Sequence, residues 1–88
     1  MTTIQVDADR IVPTLRGEAA EVVGRAGGEL ILDFSSVVKI DAGAARAMEE
    51  LADLADRSSV RVALRAVNIG IYRALKLLNL TQKFSFLT

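Results

Sequence analysis

ELILDFSSVVKIDAGAARAMEEL, residues Glu29–Leu51, is the stretch that decides the fold. It opens with an unbroken apolar run between turn signals, which is typical of a central strand buried on both faces. After a loop, Asp41 precedes an amphipathic helix that is polar on one side. The apolar positions of this helix recur at helical spacing, at Ala44, Met48, Leu51 and Ala55. The stretch therefore predicts a strand, a loop and a helix in succession.

The residues before this stretch predict two short strands and a short helix. Ile4–Val6 is apolar enough for a strand, and RIVPTL, residues Arg10–Leu15, can return beside it as a second strand. Pro13 cannot donate to a ladder, so this second strand is expected at an edge or at a bulge. A helix of about nine residues follows, over Glu18–Ala26, and Gly27-Gly28 stops it.

The residues after the stretch predict a strand, a helix and a closing strand. VRVALR, Val60–Arg65, alternates strictly between apolar and polar or small residues, as a strand does. Asn68 is a suitable N-cap for the next helix, and Asn79 can adopt the left-handed conformation that closes it. The positions expected to be buried in this helix are Ile71, Leu75 and Leu78. With the final KFSFL segment, the order predicts an α/β fold with one mixed sheet.

Composition limits the class of protein. The chain has 88 residues, 51% of them apolar and 25% charged, so we expect residues 1–88 to form one globular domain. There is no apolar run long enough to span a bilayer, and the acidic N-terminal residues do not resemble a signal peptide, so we expect a cytoplasmic protein without membrane insertion. Cysteine and histidine are absent, which removes the usual zinc ligands and the commonest catalytic base. We expect no metal, no cofactor and no catalytic residue.

Charge is distributed unevenly along the chain. All eleven acidic residues precede Arg57, and six arginines and lysines occur from Arg57 onward. This basic part of the chain leaves a small anionic ligand or a nucleotide open as a binding partner. Nucleic acid is not expected, because few aromatic residues accompany the positive charges. The dense carboxylates around Glu49 and Glu50 lie on the polar face of the predicted helix, where a solvated surface explains them better than acid–base chemistry does.

The start of the predicted helix is the most informative local feature. Asp41 can cap the helix by accepting hydrogen bonds from its first amides. That role leaves unexplained why Ala42, Gly43 and Ala44, which follow, are so small. Small side chains allow another backbone to approach closely, so this segment predicts a surface that docks a protein.

LILDFSSVVKIDAGA, the helix after it and VRVALRAVNIGIYRALKLLNLTQKF together resemble the STAS domain of bacterial anti-sigma factor antagonists. The resemblance runs from Glu29 to the end of the chain. It implies a mixed sheet of four or five strands with about three helices. It also implies a non-catalytic module that docks an anti-sigma factor or a kinase-type partner. The docking residues expected from this reasoning are Ser36, Lys39, Asp41, Ala42, Gly43, Ala44, Arg46 and Glu49.

Two departures from the family pattern qualify this implication. In phosphorylated members a hydroxyl residue receives phosphate at the position of Gly43, which has no side chain to modify, so docking is expected to be constitutive. Ser36 is the alternative acceptor nearby. The first helix is shorter than in the family, which would leave part of one sheet face uncovered for a partner or for a homodimer.

A second resemblance stays open. VNIGIYRALKLLNL and Gly43 are also similar to the small STAS subunit of the phospholipid-transport ABC system that maintains outer-membrane lipid asymmetry. That similarity implies docking on the transporter's ATPase. In that subunit a threonine follows the aspartate, where this chain has Ala42.

Overall fold

The computed structural model describes residues 2–25 and 28–87. Its four strands form one sheet in chain order, β1 Thr2–Gln5, β2 Gly28–Asp33, β3 Val60–Arg65 and β4 Ser85–Leu87. Each neighbouring pair is parallel. The α/β class is confirmed. The expectation of a mixed sheet is wrong for the described strands, because all their pairs are parallel and the segment expected to return beside the first strand is helical.

That segment belongs to a helical run between β1 and β2. The run consists of α1 Ile11–Pro13, a π-helical stretch Thr14–Ala19 and α2 Ala20–Arg25. The predicted strand at RIVPTL is therefore wrong, and the first helix is not shortened as expected. Of the residues predicted to end this helix, Ala26 and Gly27 lie outside the described residues, and Gly28 begins β2.

Helical periodicity explains this outcome better than strand propensity does. Ile11, Leu15, Ala19 and Val23 recur every four residues, and the last three are fully buried while Ile11 is partly buried. Pro13 lies in the first turn, where its missing N–H has no acceptor to lose. Thr14 already donates its backbone N–H to the carbonyl of Arg10 at 3.1 Å. Pro13 therefore lies in the first turn of a helix and not in a strand at an edge or at a bulge.

The second and third crossovers contain the predicted helices. α3 spans Ala42–Arg57, with Asp41 as its N-cap, and α4 spans Ile69–Leu77, with Asn68 as its N-cap. Both caps are confirmed. The apolar stripe predicted for α3 is also confirmed, and the helix buries Ala44, Ala45, Ala47, Met48, Leu51, Ala52 and Ala55.

The end of α4 differs from expectation at one residue. Asn79 has a φ of 59°, the left-handed conformation expected of it. Leu78, expected to be buried, is 50% exposed, whereas Leu80 is 2% exposed and lies in the core. The reversal at Asn79 turns the chain inward, so that Leu80 instead of Leu78 enters the core. A 3₁₀ turn, Thr81–Lys83, then leads into β4.

The core lies on one face of the sheet. Leu30, Leu32 and Leu64 point to that face and pack in one cluster with the buried residues of the helices. The strand order explains why one face suffices. Each crossover between parallel strands is normally right-handed, and every crossover here moves one strand in the same direction, so successive helices are placed on the same side.

Candidate functional site

The carboxyl ends of the parallel strands meet at one edge of the sheet. The loop of residues 34–41 leaves β2 at this edge and leads into α3, and α4 begins there after β3. The N-termini of both helices therefore lie at the same edge as this loop. The strand order contains no reversal, so the described sheet has no switch point of the kind that binds nucleotides in doubly wound folds.

Two side-chain caps hold the ends of α3 and α4. Asp41 accepts a hydrogen bond from the backbone N–H of Ala44 through Oδ1 at 2.8 Å. Asn68 accepts from the N–H of Ile71 through Oδ1, also at 2.8 Å. The Nδ2 of Asn68 donates to the carbonyl of Val38 at 2.7 Å. One asparagine therefore caps α4 and fastens the loop of residues 34–41 to it.

The beginning of the same loop is fastened by a second network. Asp33 accepts from the backbone N–H of Ser35 at 2.8 Å and from Nη2 of Arg65 at 2.9 Å. The pKa of Asp33 is lowered to about 2, first by hydrogen bonds from the side chain and the backbone N–H of Ser35 and then by the hydrogen bond from Arg65. The amide Nε2 of Gln5 donates to Ser36 Oγ at 3.1 Å. The loop is thus tied to β1, β2, β3 and α4.

The structure places most of the expected docking residues on the surface near the start of α3. The exposed members are Ser36, Lys39, Asp41, Ala42, Gly43, Arg46 and Glu49. Ala44 is the exception, since it is only 2% exposed. Its small size serves the packing of the helix inside the protein, and its side chain cannot contact a partner. Internal packing therefore explains the small side chain of Ala44, and contact with a partner is left to explain the small size of Ala42 and Gly43.

Two shallow grooves border the start of α3, and Ala42 lines one of them. The first lies between residues 8–13 and residues 38–41 and has a volume of about 600 Å³. The second has a volume of about 240 Å³ and lies between α3 and the end of α4. Its lining residues are Ala42, Ala45, Arg46, Glu49, Leu78 and Leu80. The first turn of α3 is thus a low ridge between two depressions.

Two of the charged residues on α3 form ion pairs with other parts of the chain. Glu50 pairs with Arg16 at 3.0 Å, and Asp53 pairs with Lys83 at 3.2 Å. Among the described residues, neither Arg46 nor Glu49 takes part in an ion pair. These two side chains can therefore pair with an external partner without breaking an internal contact.

Two exposed apolar side chains near the ridge were not predicted. Val38 is 77% exposed on the loop before Asp41, and Leu78 lines the second groove. Exposed apolar residues beside a groove are typical of surfaces that bind proteins. In the sequence, Val38 and Leu78 look like ordinary core residues, and only the exposure of their side chains identifies them. We call Lys39, Asp41, Ala42, Gly43, Arg46, Glu49 and Leu78 the α3 surface.

The positive residues after Asp56 do not converge on one place. Arg61 and Arg65 lie on one face of β3, while Arg73 and Lys76 are exposed on α4. Arg65 already pairs with Asp33, as described above. This dispersal gives an anionic ligand less support than the uneven charge of the sequence suggested.

Comparison with known proteins identifies the family. The pattern of the STAS domain family matches residues 10–88, and the chain therefore belongs to that family. Its fold is similar to the crystal structure of TM1081 from Thermotoga maritima, a protein proposed to be an anti-sigma factor antagonist. The TM-score is 0.73 at 18% identity, over 97% of this chain and 71% of TM1081. For the NMR structure of TM1081 the TM-score is 0.77 at 17% identity, over the same shares.

A comparison of the sequence with curated proteins gave no match. Among residues 2–25 and 28–87, no helix has the length and apolar character needed to cross a membrane. In the same ranges, no three acidic residues are close enough to one another to hold a metal ion.

Proposed function

We propose that this chain is a non-catalytic STAS module that docks a regulatory protein of the anti-sigma factor or kinase type through the α3 surface. One observation carries the proposal. Ala42 and Gly43 are exposed at the first turn of a helix, between two grooves and beside unpaired charges. The sequence supports a non-catalytic role, because the chain lacks the cysteine and histidine on which most nucleophiles and bases depend.

The geometry at Gly43 favours docking over an internal reason for glycine. A Cβ atom added there would approach only Oδ1 of Asp41, at 3.4 Å, which is an ordinary contact. A methyl group therefore fits within the protein itself. A larger side chain would extend into the space in front of the first turn of α3, where a partner would approach.

Docking at this surface is proposed to be constitutive. Glycine offers no hydroxyl for phosphate, so the charge that would repel a partner cannot be added at Gly43. Ser36 is exposed, and its hydroxyl accepts a hydrogen bond from Gln5 on the same edge of the sheet. Phosphate found on Ser36 after treatment with the partner kinase would contradict constitutive docking and would place the modification on the loop of residues 34–41.

Capture from native extract tests the proposal. Tagged wild-type protein is compared with Gly43→Asp, which adds a charge, and with Gly43→Asn, which adds nearly the same volume without one. Mass spectrometry identifies the captured protein, and its affinity for each variant is then measured with purified components. We expect Gly43→Asp to weaken binding by about tenfold or more, because an unpaired charge is desolvated in the interface.

The two substitutions separate the reasons for docking at this surface. Weakening by both variants would support close approach of the partner's backbone to residue 43, and weakening by aspartate alone would support a charge effect. Equal affinity of all three proteins would overturn the proposed surface. A captured anti-sigma factor or kinase with a GHKL-type ATP site would support the proposed partner, whereas a captured ABC ATPase would replace it with regulation of transport.

A further inference from the structure

The sheet face opposite the core has no helix packed on it in the described part of the chain. Ile31 and Ala63 are buried, yet they do not belong to the core cluster that joins the helices to Leu30 and Leu32. Strand alternation explains this, because Ile31 and Ala63 point to the opposite face. Parallel sheets are normally covered on both faces, so a sheet open on one side is unusual.

The strand register places the residues of this open face in rows that run across the strands. Glu29 on β2 lies beside Arg61 on β3, and two residues further along Ile31 lies beside Ala63. In the third row, Asp33 lies beside Arg65. In both outer rows, therefore, the acid is on β2 and the arginine on β3, and a small apolar row separates them. The outer strands add Thr3 and Ser85 to the middle row.

We propose that a second copy of this chain covers the open face, sheet against sheet, with the strands of both copies running in the same direction. The two copies are related by a two-fold axis that lies between the two sheets, parallel to the strands and midway between β2 and β3. Rotation about this axis leaves the position of each residue along the strand direction unchanged. It places β2 of one copy over β3 of the other. It places Glu29 over Arg61 of the second copy and Asp33 over Arg65 of the second copy. It also places Ile31 over Ala63 of the second copy.

The opposite arrangement is disfavoured by the same charges. A two-fold axis perpendicular to the strands would bring Glu29 over Asp33 of the second copy and Arg61 over its Arg65. Like charges facing each other across an interface cost free energy and suppress that arrangement. The charge pattern therefore selects the packing in which the strands of both copies run in the same direction.

The dimer is expected to be weak and dependent on ion pairs. Ile31 and Ala63 are only 7% and 1% exposed, so covering them removes little further apolar surface from water. The four strands are each about 4.8 Å wide and about 10 to 20 Å long, so they cover roughly 300 Å² per copy, less than half of the usual interface. Within one chain, Arg65 is 2.9 Å from Asp33, whereas no ion pair joins Glu29 to Arg61. These last two charges are thus available to the second copy.

Charge exchange between β2 and β3 tests the inference with the full chain. Sedimentation equilibrium is measured from about 10 µM to 1 mM protein, at about 20 mM and about 500 mM salt, with Glu29→Arg, Arg61→Glu and the double variant. We expect the wild type to dimerise at low salt and to lose about tenfold or more in affinity at high salt. Each single variant should remain monomeric, because like charges then face each other twice.

The mixture of the two single variants provides the sharpest readout. In a heterodimer of Glu29→Arg with Arg61→Glu, both facing pairs are again of opposite charge, so the mixture should dimerise although neither variant does so alone. The double variant should dimerise like the wild type. Thermal melts check that each variant is folded. A wild type that stays monomeric at 1 mM and low salt, or a mixture that does not associate, would overturn the inference. Because the α3 surface lies elsewhere, neither result bears on the proposed docking there.

Discussion

Replacement of Asn68 should reveal how much one side chain contributes to the edge of the sheet that carries the site. Asn68 makes two hydrogen bonds, as acceptor for the N–H of Ile71 and as donor to the carbonyl of Val38. Loss of an N-cap costs about 1 kcal/mol, and loss of one further hydrogen bond costs about the same. Asn68→Ala should therefore lower the free energy of unfolding by about 2 kcal/mol.

Asn68→Ser separates the two contributions. Serine caps a helix as well as asparagine does, but its shorter side chain has no amide group to reach Val38. We expect Asn68→Ser to cost about 1 kcal/mol, half the effect of alanine. In thermal melts this corresponds to a fall in Tm of about 5 °C for serine and about 10 °C for alanine.

Hydrogen exchange locates each loss in the structure. With alanine, exchange should accelerate both at the amide of Ile71 and across residues 35–40. With serine it should accelerate in that loop only, because the cap on α4 is kept. A serine variant as unstable as the alanine variant, or an alanine variant within 0.5 kcal/mol of wild type, would refute the reasoning from these two hydrogen bonds.

Three further outcomes follow from single residues. Gly43→Ala should raise the free energy of unfolding by about 0.5–1 kcal/mol in urea titrations, because the position is helical and the added methyl group meets only an ordinary contact; a loss of stability would contradict the open space found there. Leu51→Ala should cost about 2–5 kcal/mol in the same titrations, because Leu51 is 2% exposed in the core, and a cost below 1 kcal/mol would show that the core is not packed around α3 as described. Asp33→Asn should lower stability at neutral pH but not near pH 2. The pKa of Asp33 falls from 3.8 to about 2 in the folded protein, so its stabilisation is complete above about pH 4 and is lost as the pH falls through 2. Parallel stability–pH curves for wild type and Asp33→Asn would refute this assignment.

The caps show where local sequence is sufficient. Asp41 and Asn68 were predicted to start α3 and α4, and both accept a hydrogen bond from an amide three residues later. Capping depends on residues that are neighbours in the chain, so the sequence contains the whole interaction. The apolar stripe of α3 is of the same kind, since helical spacing alone assigns its buried side.

RIVPTL shows where local sequence misleads. The β-branched residues suggested a strand, and Pro13 suggested that this strand lies at an edge or at a bulge. The four-residue spacing of Ile11, Leu15 and Ala19 instead indicates a helix. Strand and helix compete closely in such a short segment, and packing of its apolar side against the sheet and α3 decides between them. This one segment decides whether the sheet is mixed or parallel. A helix there connects β1 to β2 as parallel neighbours, and the other neighbouring strands are parallel as well.

The candidate site divides in the same way. By itself the sequence determined the STAS family pattern, the capped start of α3 and the absence of a hydroxyl at Gly43, because each of these is a property of adjacent residues. Tertiary structure alone decided that Ala44 is buried, that Val38 and Leu78 are exposed and that no helix of residues 2–25 and 28–87 covers one face of the sheet. Burial and exposure depend on which distant segments pack together, and charges such as Glu29 and Arg61, far apart in the chain, become neighbours only through the strand register.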